Sequence, residues 1–132
     1  MLKLLKIKYP KIHSVVDIPQ DMQLETENGI SITAKHNDEH KRMLFIIEAF
    51  SAAKDHKELF DIEMQVIGVF SYDSLQTDDE IRGAHLQAYE MVYPFVQTLF
   101  AELTSKAGIH PYFFEKITVN FEDVEVVKRE SK

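Results

Sequence analysis

From residue 60 to residue 66 the chain alternates strictly. Phe60, Ile62, Met64 and Val66 are apolar, and Asp61, Glu63 and Gln65 between them are polar. Successive side chains of a strand point to opposite faces. The pattern therefore predicts a strand over 59–72 with one dry face and one acidic, wet face, continuing through Gly68 and Phe70 to Tyr72. Three extended stretches precede it. Residues 2–18 interleave Lys3, Lys6, Lys8 and Lys11 with Leu4, Leu5, Ile7, Tyr9 and Ile12. Pro10 cannot donate to a ladder, so this strand lies at an edge or bends there, and lysines on an edge deter pairing with stray chains. In 22–35, Met22, Leu24, Ile30, Ile32 and Ala34 share one parity. Asn28-Gly29 marks an irregularity within that one strand or, alternatively, a tight hairpin. Residues 41–54 are apolar on both parities from Met43 to Ile47, as in a central strand covered on both faces; a helix is the alternative, and the β-branched and aromatic content favours the strand. The clusters His36-Asn37-Asp38-Glu39-His40 and Asp55-His56-Lys57-Glu58 read as turns. Connections this short favour an antiparallel sheet, because parallel crossovers need about a dozen residues or more.

The period changes after residue 76. Thr77 and Glu80 have the spacing of a capping box, and Asp78, Asp79 and Glu80 suit the positive end of a helix. Ala84, Ala88, Val92, Phe95, Leu99 and Leu103, with Tyr89, Val96 and Phe100 widening the stripe, predict a helix over about 78–107. Pro94 inside it removes a backbone donor and predicts a kink near 92–94. Gly108 is a suitable C-cap, followed by Pro111. Beyond it, Tyr112, Phe113 and Phe114 cluster, and Ile117, Val119 and Phe121 alternate with polar residues. The segment 111–127 is extended at first, with 123–127 open between strand and short helix, and 128–132 reads as a tail. The expectation is one α+β domain over 1–132, with the sheet in 2–72.

Composition narrows what such a domain can do. Its 132 residues bury a real core without staples. There is no cysteine, hence no disulfide and no thiolate for catalysis or metal binding. The 22 acidic residues exceed the 15 basic ones, for a net charge of −7. That repels phosphate backbones and suits a basic or unfolded partner. No apolar run approaches the ~20 residues of a membrane span, and no signal peptide is evident. A cytoplasmic protein is expected. Gly29, Gly68, Gly83 and Gly108 are scattered and form no phosphate loop. No serine sits in a nucleophile elbow. His36 and His40, in a turn with Asp38 and Glu39, do not converge as they would on a helix, so a metal site is not expected. His85, beside the helical stripe, reads as a surface or interface histidine. No cofactor and no enzymatic activity are expected, and pattern alone stops at an α+β binding domain.

Three ordered pieces carry a resemblance. Phe60-x-x-Glu63-x-Gln65-x-x-Gly68-Val69-Phe70 resembles the last strand of the SecB family of protein-export chaperones. Val92-Tyr93-Pro94-Phe95 is similar to the segment that bends that family's long helix. Gly108-Ile109-His110-Pro111, followed by Val119-Asn120-Phe121, resembles the run after it. About half the chain is covered. The resemblance implies a four-stranded antiparallel Greek-key sheet, a long kinked helix, a short C-terminal extended or helical segment, and assembly into dimers or tetramers. It implies a chaperone or holdase that binds unfolded polypeptides in apolar grooves, with Phe50, Tyr72, Phe113 and Phe114 as groove residues. It also implies an acidic sheet face that meets the translocation motor SecA, with Glu63 and Asp17 at matching positions. Asp61 stands where the family has an apolar contact residue, which implies an altered or absent motor interface. The tail after Phe121 departs from the family's usual final helix. An adaptor that recognises one partner through the acidic face is the alternative, and a small enzyme with a site in the sheet–helix cleft is a third reading.

Overall fold

The computed structural model describes residues 2–19, 24–106 and 124–128. Four long strands come first: β1 (Lys3–Val16), β2 (Thr26–Asn37), β3 (Arg42–Ala53) and β4 (Phe60–Ser71). The helix α1 (Asp78–Lys106) follows, and then a short β5 (Val124–Lys128). In space the strands run β1-β4-β3-β2-β5. Strands β2, β3 and β4 form an antiparallel meander and β1 lies beside β4, which is Greek-key connectivity. The segment left open between strand and helix is therefore strand from Val124, paired parallel to β2 from Ile32↔Val124 to His36↔Lys128.

The two long ladders at the flanks differ. Strand β1 slips against β4 twice, between Leu4 and Lys6 and between Lys8 and Lys11, the second time around Pro10. Strand β2 pairs with β3 without a break from Thr26↔Ala53 to Asn37↔Arg42. Asn28-Gly29 thus sits inside a regular strand and is neither hairpin nor bulge. The strand also continues two residues further than composition predicts, so His36 belongs to β2 and the turn is 38–41. Lys41 takes the positive φ, 53°, that closes this turn.

Register separates the faces. Ile62, Met64, Val66 and Phe70 of β4 share a face with Met43, Phe45, Ile47 and Ala49 of β3 and with Ile32 and Ala34 of β2, and all are buried. Helix α1 covers this face. Its cap is as its sequence predicts: Glu80 N–H donates to Thr77 Oγ1 at 3.1 Å, and Thr77 N–H donates to Glu80 Oε1 at 3.2 Å. Its buried stripe is Ala84, His85, Ala88, Tyr89, Val92, Tyr93, Val96 and Phe100. Phe95, read as part of that stripe, is instead 37% exposed. Helical structure runs through Pro94 without interruption. Val92 comes so close to the sheet that a Cβ on Gly68 would stand 2.5 Å from its Cγ2. The Gly108–Pro111 and Val119–Phe121 motifs, with Phe113 and Phe114, lie outside the described residues.

Candidate functional site

The face of the sheet away from α1 carries the odd positions of β4. Asp61 and Glu63 lie there, as alternation predicts, but their surroundings differ. Lys11 Nζ of β1 stands 3.0 Å from Glu63 Oε2, and the Glu63 carboxylate keeps 38% of its surface. The hydrogen bond and charge of Lys11 hold this carboxyl below its ordinary range, with smaller help from His13 and Lys57. Asp61 is deeper, at 18% exposure, with His13 Nε2 3.5 Å from Oδ2. Its Oδ1 is buried without a hydrogen-bond partner among the described residues. Asp17 is exposed, and its N–H extends the β1–β4 ladder by donating to Leu59 O at 2.8 Å. Two of the three predicted acidic contacts thus already have side-chain partners on β1, and Asp17 is the most open.

Phe50 projects from the same face and is 42% exposed. It is paired with Gly29 in register, and its ring lies over that glycine so closely that any Cβ there would collide with it. A ring covering a strand glycine restores the packing that the missing side chain would give. Around it a cavity of about 380 Å³ is lined by Lys11, Gly29, Ser31, Glu48, Phe50 and Glu63. The cavity reaches β2, and β5 covers only Ile32 to His36 of that strand. Thr26–Ser31 have no strand on that side among the described residues. Edges that avoid further pairing use proline, lysines and bulges. Strand β1 has all three, whereas β2 has an unbroken register and Lys35 as its single lysine.

A second apolar seam joins β1 to α1. Tyr9 and Ile12, 42% and 48% exposed, border a depression with Thr98, Leu99 and Glu102. Burial and the nearby Glu102 carboxylate raise the Tyr9 hydroxyl pKa. Phe95 stands one helical turn before Leu99 on the same side.

Other candidates lie inside. Tyr72, expected in an open groove, is buried, and its hydroxyl donates to Asp38 Oδ1 at 2.7 Å. Burial first, then Asp38, raises its pKa. Of the described aromatic groove candidates, Phe50 is the one left open. His36, expected in a turn, and His85, expected at the surface, are both buried and meet Nε2 to Nε2 at 2.9 Å. The Tyr72 ring lies 6.2 Å from His36, and the Phe45 ring lies 6.3 Å from His85. Among the described residues no group of three or more His, Asp or Glu side chains is placed to hold a metal ion. No described helix is long and apolar enough to cross a membrane.

This architecture has relatives. The fold resembles the SecB-like chaperone of Mycobacterium tuberculosis, solved with a ChAD peptide from an antitoxin, at a TM-score of 0.69 and 12% identity over 89% of this chain and 88% of that one. The protein-export protein SecB of Orientia tsutsugamushi (strain Boryong) is 24% identical over 106 residues, 80% of this chain and 66% of its own length. That of Rickettsia typhi is 25% identical over 104 residues, 79% of this chain and 68% of its own length. The chain thus spans about two thirds of the length of these relatives. The family model described as preprotein translocase subunit SecB matches residues 9–128. On that match, and with the Greek-key sheet and long helix in place, the chain belongs to the SecB family.

Proposed function

We propose that this chain is a SecB-type holdase. It captures unfolded or partly folded polypeptides as extended segments, with no nucleotide and no chemistry of its own. The observation that carries this reading is the Thr26–Ser31 stretch of β2, beside the exposed Phe50 ring and without a strand on its outer side among the described residues. An extended segment adds to such an edge through main-chain hydrogen bonds, largely independent of sequence, and alternate side chains give what selectivity there is. A residue level with Gly29 would lie on the side of Phe50, Glu48 and Glu63, which favours the stem and charge of a lysine or arginine. A residue level with Ile30 would meet the apolar side. Client segments that alternate apolar and basic residues fit best, and the net charge of −7 supports the same preference.

The finer parts of the reading follow from the surfaces. The chain works in the cytoplasm as a homodimer or homotetramer joined through the β1–α1 seam. In an export role, SecA docks on the face that carries Asp17, Asp61 and Glu63. The solved relative bound to an antitoxin peptide favours a second reading, a holdase dedicated to one regulatory client.

The first test is suppression of aggregation of an unrelated unfolded protein, with the mass of the chaperone measured alongside. Suppression at a stoichiometric ratio without nucleotide, by particles of dimer or tetramer size, is expected. Monomers that suppress nothing would refute the holdase. For the motor surface, Glu63→Arg should abolish SecA binding while leaving the melting temperature nearly unchanged, since an exposed ion pair such as Lys11–Glu63 contributes only about 0–1 kcal/mol. Unaltered SecA binding would exclude this face as the docking site.

A further inference from the structure

We propose that His36 and His85 form an acid-sensitive latch between β2 and the early turns of α1, whose protonation lets the start of the helix leave the sheet. The contact joins residues 49 positions apart, ring nitrogen to ring nitrogen at 2.9 Å, and both rings are 2% exposed. Two neutral imidazoles make one such bond, with one Nε2–H donating to the lone pair of the other. A first proton puts a charge in a dry place. A second removes the acceptor and sets two N–H groups of like charge against each other.

Packing makes this contact matter most at the start of the helix. From its start to Ala88 the buried side chains of α1 are Ala84, His85 and Ala88, while from Tyr89 on the helix buries Tyr89, Val92, Tyr93, Val96 and Phe100. Alanine buries little apolar surface, and hydrophobic stabilisation scales with that area. The early turns are therefore the weakly held end of the helix, where local opening is easiest. The Phe45 ring lies against His85, and Met43 and Phe70, both buried, are level with His36 in the sheet. Opening would add an apolar surface to the protein without unfolding the sheet.

The polar groups around the pair come from every neighbouring element. Lys35 of β2 and Arg42 of β3 border the same depression as His36. Asp38, in the β2–β3 turn, accepts from Tyr72 at the end of β4, and Asp73 follows. On α1, Arg82 and Tyr89 stand one turn to either side of His85. Lys3 of β1 is level with Ser71, next to Tyr72. Burial first, then His36, pulls the His85 pKa down to about 4.

The sign follows from linkage. Above pH ~6.5, the ordinary histidine value, neither the latched nor the released form binds a proton at His85, and the balance is constant. Between ~6.5 and about 4, the released form takes a proton that the latched form refuses, so opening gains progressively. The effect is fully developed once pH falls below the latched value.

The absence of cysteine allows two labels to be placed cleanly. Spin labels at Leu86→Cys on the exposed side of α1 and at Glu39→Cys in the β2–β3 turn report the gap across the latch. On shifting from pH 7.5 to 4.5 the distance should lengthen reversibly. Amide exchange over 78–88, corrected for its intrinsic pH dependence, should speed up about tenfold relative to 92–104, as expected of a local opening. His36→Gln keeps a hydrogen-bonding amide that does not titrate, and should abolish both responses. His85→Gln should do the same, which guards against one variant folding poorly, and His40→Gln, in the exposed turn, should respond like the parent. No lengthening in the parent, equal lengthening in the Gln variants, or irreversible loss of the whole sheet would each overturn the latch.

Discussion

At Gly68 a side chain would enter space that Val92 Cγ2 and the Phe70 ring already occupy, with approaches of 2.5 and 2.7 Å. At Gly83, on the exposed side of α1, an added Cβ meets nothing within 4 Å. The same substitution therefore has opposite signs at the two sites. Gly68→Ala forces the helix away from β4 and should lower stability by about 1–3 kcal/mol, the usual range for overpacking. Gly83→Ala should raise stability by about 0.5–1 kcal/mol, since it removes the conformational penalty of a glycine in a helix. Urea midpoints of the two variants check this, and a loss at Gly83 would mean that α1 is covered there by something else. Neither role was legible in the sequence, where the glycines are only scattered letters, because a close approach is made by an element far along the chain. The face of Glu63 was legible because parity alone sets it. The depth of Asp61 was not, because its cover comes from neighbouring strands, Val15 and Ala52 in register and His13 at 3.5 Å.

At the scale of elements, the strands and the helix were readable because each has its own period, and Thr77 with Glu80 fixed the start of α1. The misplaced residue in the helical stripe is Phe95. The buried face follows Ala84, Ala88, Val92, Val96 and Phe100 at steps of four, joined by His85, Tyr89 and Tyr93. Steps of four drift steadily around a helix of 3.6 residues per turn, and the one step of three from Val92 to Phe95 sets the predicted stripe back by about 60°, off the buried face. The histidine pair escaped for a different reason. A run of five polar residues reads as a turn, yet His36 keeps the parity of Ile30, Ile32 and Ala34 and so stays on the covered face of β2. Parity was the available signal for His36, and Tyr89 four residues on was the one for His85. Their meeting is a tertiary fact that no local window contains. The fifth strand was only half visible, since a segment that pairs parallel to a distant edge needs no turn to announce it.

For the whole molecule, what remains uncovered decides how it assembles. Single exposed apolar side chains are ordinary on a folded surface, and Leu86 is one of them. Tyr9, Ile12 and Leu99 differ because they border one depression between β1 and α1, with Phe95 one helical turn before Leu99, and such an apolar patch is where the proposed subunit contact falls. The lysines and slips of β1 turn away unspecific strands without closing this seam, since its contacts are made by side chains and not by the ladder. Ile12→Lys with Phe95→Lys puts two like charges into the seam while touching only half-exposed positions, so each subunit keeps its fold. Light scattering should then give a monomer mass, against the dimer or tetramer proposed for the parent, with an unchanged circular dichroism spectrum. An unchanged oligomer mass would exclude the seam and move the subunit interface to the other face of the sheet. In that case the Phe50 cavity would be buried between copies and closed to clients, so the same two substitutions also test whether the proposed client edge is free in the assembled protein.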